Sequence, residues 1–122
     1  HGQDLADRCN RLAVMVESIV DTYYPDVAAV EAFHFHGIYV ASTVQMANVA
    51  GMIREVLRHR SIPSTEYAVR AIRQCVAGRA NADALVVSNM VIKHLGMNVA
   101  PMPQHAADAL AVAIAHGALR SQ

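Results

Sequence analysis

Residues 24–31 read Tyr-Pro-Asp-Val-Ala-Ala-Val-Glu, and the fold turns on how this stretch is read. Pro25 cannot continue a helix, so whatever precedes it stops there. Val27 to Val30 form a short apolar run without alternation, the pattern of a strand covered on both faces. The run ends in a carboxylate, Glu31. In open α/β folds the carboxyl ends of buried parallel strands are where sites are built. The plainer reading is a strand-end glutamate facing solvent, and position alone favours it.

Upstream, Leu5, Cys9, Leu12, Val16, Ile19, Val20 and Tyr23 recur at three and four and predict a helix over about 3–23. Asp4 and Asp7 sit in its first turn, where the helix dipole favours acids. Downstream, 33–39 lacks a helical period and contains Gly37, which reads as a loop. Residues 41–59 predict a second helix, apolar on more than one side through Val44, Met46, Val49, Met52, Ile53 and Val56. A helix that wide in its apolar surface needs two partners, one a sheet and the other a second subunit. After Pro63, Ser64 to Tyr67 read as another strand, so the connection looks like a βαβ crossover. Helices follow at about 69–77, ended by Gly78, and at about 82–95, capped by Asn81 and ended by Gly96. The last helix, about 105–119, is rich in alanine, which allows close approach to a sheet.

The composition sets limits. The chain has 122 residues, 54% hydrophobic and 16% charged, which suits one domain and excludes disorder over most of its length. No apolar run is long enough to span a bilayer and no leader opens the chain. Cys9 and Cys75 fit neither a disulfide framework nor a metal spacing, so a reducing cytoplasmic setting is expected. Net charge is zero, with ten acids and ten bases, which counts against nucleic acid. Yet Arg54, Arg58, Arg60, Arg70, Arg73 and Arg79 cluster between 54 and 79, and arginine suits phosphate. A solvated charged face is the commoner origin of such a cluster.

His105 and Asp108 stand three apart, on one face of the last helix. An imidazole and a carboxylate at that spacing can share a divalent metal. An acid near a helix N-terminus, serving the dipole alone, explains Asp108 equally.

Together, Tyr-Pro-Asp-Val-Ala-Ala-Val-Glu at 24–31 and His-Ala-Ala-Asp-Ala-Leu-Ala-Val-Ala-Ile-Ala-His at 105–116 resemble the RuvC-type Holliday-junction resolvases. Gln45-Met46-Ala47 with Gly51, and Tyr67-Ala68 running into Val76-Ala77-Gly78, agree with this, so the resemblance covers nearly the whole chain. It implies an α/β fold of the RNase H-like kind, a mixed sheet flanked by helices, over 1–122 as a single domain. It implies a homodimer that cuts two strands symmetrically at four-way junction DNA, with a branch-migration helicase as a possible partner and no membrane. The family cuts with divalent metals, Mg²⁺ or Mn²⁺, two per site, held by four groups. Glu31 matches the strand glutamate, Asp108 the last-helix aspartate, and His105 a position that is Asp or His in the family. The fourth, an aspartate in an Asp-Pro-Gly-like motif on the first strand, has no counterpart here.

Three departures follow from the resemblance. The family begins with a three-strand meander, whereas this chain begins at the first helix; it reads as N-terminally incomplete, or as having its first strands supplied otherwise. Ala84 stands where the family has lysine after an acid matching Asp83, and alanine donates no hydrogen bond; either Lys93 or Arg79 compensates, or activity is impaired. His34 stands where the family often has a junction-contacting Phe, and Phe33 and Phe35 beside it could stack on a base or pack in the core. Phe33, His34, Phe35, Arg70, Arg73, Arg79 and Lys93 are therefore the expected DNA contacts. The competing readings are a catalytically inactive RNase H-like module that binds branched DNA or acts as a structural subunit, and a small α/β protein with no nucleic-acid role.

Overall fold

A computed structural model describes residues 2–32, 40–99 and 103–120. The element order is α1 (Gly2–Tyr23), β1 (Ala28–Glu31), α2 (Val40–His59), β2 (Ser64–Tyr67), α3 (Val69–Ala77), α4 (Ala84–Leu95) and α5 (Gln104–Leu119). The predicted loop at 33–39 lies outside the described residues.

β1 and β2 form a two-stranded sheet. Ala28 N–H donates to the Pro63 carbonyl at 2.9 Å and Ala32 N–H to the Tyr67 carbonyl at 2.8 Å. Both bonds keep the same offset along the chain, so the strands are parallel, and α2 between them makes the crossover that parallel strands require. The wider mixed sheet has no counterpart among the described residues. β1 is half-buried rather than covered on both faces, and Glu31 is exposed. A pair of strands offers no neighbours on either side to bury it further.

The chain divides into two compact units, one within 1–28 and 33–64, the other within 29–32 and 65–122. In the first, α1 packs on α2 around Val20, Leu57 and Ile62, with Val16 and Ile53 against them. The predicted α1 stripe is only partly realised. Leu5, Cys9, Val16 and Val20 turn inward, while Leu12, Ile19 and Tyr23 are exposed. One helix covers a narrower arc than a sheet would, and these three lie at the rim of the arc or in the last turn. Arg60, just past α2, reaches back to Asp21 of α1 through Nε–Oδ1 at 3.0 Å and Nη2–Oδ2 at 3.2 Å, with Glu17 at 3.5 Å. α2 ends without glycine: Ser61 takes the left-handed conformation, φ 57°, while Ile62 N–H bonds the Leu57 carbonyl and Ser61 N–H that of Arg58. That is a Schellman turn, locked by the contact of Ile62 with Leu57.

The second unit has its core where α3, α4 and α5 meet. Ile72 and Val76 of α3, Val87 and Val91 of α4, and Ala111, Val112 and Ala115 of α5 are buried together. Ala107, Ala111 and Ala115 recur at four and are nearly inaccessible, so the alanine face of α5 lets its helical neighbours approach closely. Ala29 and Tyr67 bring the sheet onto the same core. α3 and α4 end at Gly78 and Gly96, both left-handed, as expected. The start of α4 differs from expectation. Asp83, not Asn81, is the cap, accepting from Val86 N–H at 3.0 Å, and Ala82 just ahead of it is buried. Burying Ala82 sets the entry angle of the helix and leaves Asp83 at its mouth.

Candidate active site

The second unit holds a pocket of about 110 Å³. Its lining joins Glu31 at the end of β1, Val69, Ile72 and Arg73 of α3, Ala84 and Val87 of α4, and Asp108, Ala111 and Val112 of α5. The floor is core valine, isoleucine and alanine, so the polar groups are two carboxylates and one guanidinium. Each has a local reason to be there. The short β1 run ends at Glu31, one residue before the Ala32–Tyr67 ladder bond. Arg73 is half-buried beside Ile72 of the core. Asp108 follows the buried Ala107, which holds that turn of α5 against its neighbours.

Asp108 lies in the second turn of α5, beyond the first-turn position where a carboxylate chiefly serves the dipole. Its Oδ1 accepts from Gln104 Nε2 at 3.1 Å. His105 Nδ1 stands 3.9 Å from Oδ2, with a side chain 94% exposed against 45% for Asp108. His105 is not among the pocket's lining residues. The structure thus brings together Glu31, Asp108 and Arg73, and leaves His105 at the rim of Asp108. Gln104 escaped the sequence reading, although an amide four residues before an acid on a helix is a recognised pair.

The other expected contacts are spread over the same unit. Arg70 and Arg79 are exposed at either end of α3, and Lys93 is exposed in the last turn of α4. None of these three lines the pocket, so neither Lys93 nor Arg79 stands where the Ala84 side chain leaves the wall bare. Phe33, His34 and Phe35 lie outside the described residues. Not every arginine of the cluster is free for phosphate. Arg58 is held by Glu55 at 2.6 Å and Arg60 by Asp21.

Two carboxylates in one cleft suit a hard divalent cation, which takes oxygen ligands and keeps some of its water. The fit is partial: among the described residues no group of three or more His, Cys, Asp or Glu is close enough to hold a metal. Also among them, no helix is long and apolar enough to cross a membrane.

A family model described as crossover junction endodeoxyribonuclease RuvC matches residues 1–116. The protein of that name from Corynebacterium efficiens is 34% identical over 113 residues, covering 93% of this chain and 50% of the relative. The one from Chloroflexus aggregans is 36% identical over 115 residues, covering 94% and 70%. The chain therefore spans between half and 70% of the length of these relatives. Among solved structures, Thermus thermophilus RuvC superposes with a TM-score of 0.80 at 26% identity, covering 93% of this chain and 66% of that one. The same protein in complex with Holliday junction substrate gives 0.80 at 29% identity, covering 91% and 67%. The fold is accordingly the RNase H-like one that the sequence resemblance implies, seen here as two parallel strands with their helices. By the match of its sequence and of its fold, the chain belongs to the RuvC family of crossover junction endodeoxyribonucleases.

Proposed function

We propose that this chain is the part of a Holliday-junction resolvase that carries two of its metal-binding carboxylates, Glu31 and Asp108. The observation that carries the reading is that these two acids and Arg73 line one pocket. The family match runs through both compact units, which supports treating 1–122 as one RNase H-like domain.

The reaction is hydrolysis of DNA phosphodiester bonds, symmetric across the junction. Mg²⁺ or Mn²⁺, two per site, would activate the attacking water and stabilise the leaving oxygen. Glu31 and Asp108 would hold the cations through carboxylate oxygens, and His105 would add a nitrogen from the rim. Arg73 places a fixed positive charge where the scissile phosphate enters. Arg70, Arg79 and Lys93 contact the backbone farther out, and Phe33, His34 and Phe35 meet the opened bases. α2 is the proposed homodimer surface: Val44 and Met46 are exposed on it, with 49% and 48% of their area accessible. A branch-migration helicase is the proposed further partner, and the cytoplasm the proposed location.

A second reading has one observation in its favour. Ala84 presents a methyl group to the pocket wall where the family resemblance expects lysine. On that reading the chain binds branched DNA without cutting it. Binding separates both readings from an unrelated role. Gel-shift titrations with a four-way junction and with duplex of the same sequence should favour the junction by roughly 10³-fold or more, the low end of the margin of specific over non-specific DNA binding. Equal affinity for the two would remove the junction from the account.

A further inference from the structure

The phenol of Tyr67 and Nδ1 of His116 form a hydrogen bond of 2.6 Å, with their rings edge to face at a centroid distance of 5.6 Å. Both side chains are half-buried. This is a long-range polar contact within the second unit, and its two ends sit at informative places. Tyr67 is the last residue of β2, and its carbonyl accepts from Ala32 N–H, the amide directly after Glu31. His116 lies on α5, eight residues beyond Asp108 in the same continuous helix, about 12 Å along its axis.

We infer that Tyr67 and His116 are a positioning pair that sets the placement of Glu31 relative to Asp108. The inference rests on the reading of those two acids as cation ligands. The chain of links is short: Glu31 is bonded to Ala32, Ala32 to the Tyr67 backbone, and the Tyr67 side chain to α5 through His116. Ala29 and Tyr67 also pack apolar surface against the helical core, and apolar contact is not directional. A four-residue strand whose first three residues are exposed can slide or tilt on such a surface. A hydrogen bond with one donor and one acceptor stops both motions. Cation affinity is sensitive to this because ligand oxygens must sit within tenths of an ångström of their ideal positions. Neither Tyr67 nor His116 lines the pocket, so neither touches the cation or the substrate.

The test is Mn²⁺ binding by the chain, read from the electron paramagnetic resonance signal of the free ion at one fixed pH, with thermal midpoints recorded beside it. Tyr67→Phe and His116→Leu should each weaken Mn²⁺ binding by about fivefold to tenfold, the low end of what groups behind metal ligands contribute. The double variant should bind no more weakly than either single one, because both remove the same bond. His116→Asn, which puts an amide near the place of Nδ1, should recover affinity to within about twofold of the original. Lowered midpoints with unchanged Mn²⁺ affinity would make the pair a stability element only and overturn the inference. Glu31→Gln and Asp108→Asn are run alongside and should abolish binding. If both retain it, the ligand assignment fails, and the positioning role falls with it for a reason the controls identify.

Discussion

Glu31 at the end of β1 and Asp108 in the second turn of α5 line one pocket, though they come from opposite ends of the sequence. β1 reaches it because its parallel ladder with β2 ends there, and α5 because Ala107 and Ala111, on either side of Asp108, are buried. The two acids are thus presented by regular elements with core behind them. Sites built in this way hold their geometry better than sites on loops.

Gln104 extends that presentation by one bond. Its amide donates to Asp108 Oδ1, and on the proposed reading Oδ2 is the oxygen left for a cation. Gln104→Ala should weaken Mn²⁺ binding by a few-fold, measured by titration calorimetry. Its unfolding midpoint should stay unchanged, since an exposed side chain of this kind contributes within about 0.5 kcal/mol.

Asp83 caps α4 through Val86 N–H. Asp83→Ala should cost about 1 kcal/mol in denaturant unfolding, the usual value of an N-cap side chain. Asn81→Ala should cost much less, because Asn81 is exposed and precedes the cap by two residues.

Hydrogen bonding from Arg60 holds the Asp21 carboxyl below its ordinary 3.8; partial desolvation opposes this and the guanidinium charge adds to it. The folded value is the lower one, so the unfolded chain takes up the proton first as the pH falls. The contribution is therefore present above 3.8 and lost as the pH falls through the folded value. Asp21→Asn should be less stable than the original chain at neutral pH, and the gap should close in acid below about 3.8. Added salt should narrow the gap as well, since the pair is exposed.

His105 bears on the choice of metal. Its imidazole stands near Asp108 Oδ2 and is almost fully exposed. Magnesium prefers oxygen, whereas manganese accepts imidazole more readily. His105→Asp should shift cleavage toward Mg²⁺ and extend it to lower pH, because an imidazole binds metal only when neutral. A metal and pH series on both proteins checks this; identical ratios and profiles would exclude His105 as a ligand.

Much of this was legible in the sequence, for local reasons. Pro25 and the run to Glu31 placed β1, and Gly78 and Gly96 placed two helix ends, because breakers and left-handed glycines act on their own neighbourhood. Asn81 and Asp83 are both capping types, and only the burial of Ala82 between them decides which one caps. Within the arginine cluster, nothing local separates Arg60, bound to Asp21 in another helix, from Arg73 at the pocket. The α1 stripe is wider in the sequence than in the structure for the same reason: periodicity marks an apolar arc, while the partner sets how much of it is covered. The Tyr67–His116 bond joins a strand to a distant helix, and no spacing announces it.

The most direct test of the account is divalent-metal-dependent cleavage of a four-way junction, each strand end-labelled in turn, by the protein that carries these residues and by its Glu31→Gln and Asp108→Asn variants. The account predicts paired nicks at symmetric positions in two opposing strands with the original protein, and junction binding without nicks in both variants. Undiminished cleavage in either variant would contradict the assignment of that carboxylate, and survival in both would contradict the account as a whole.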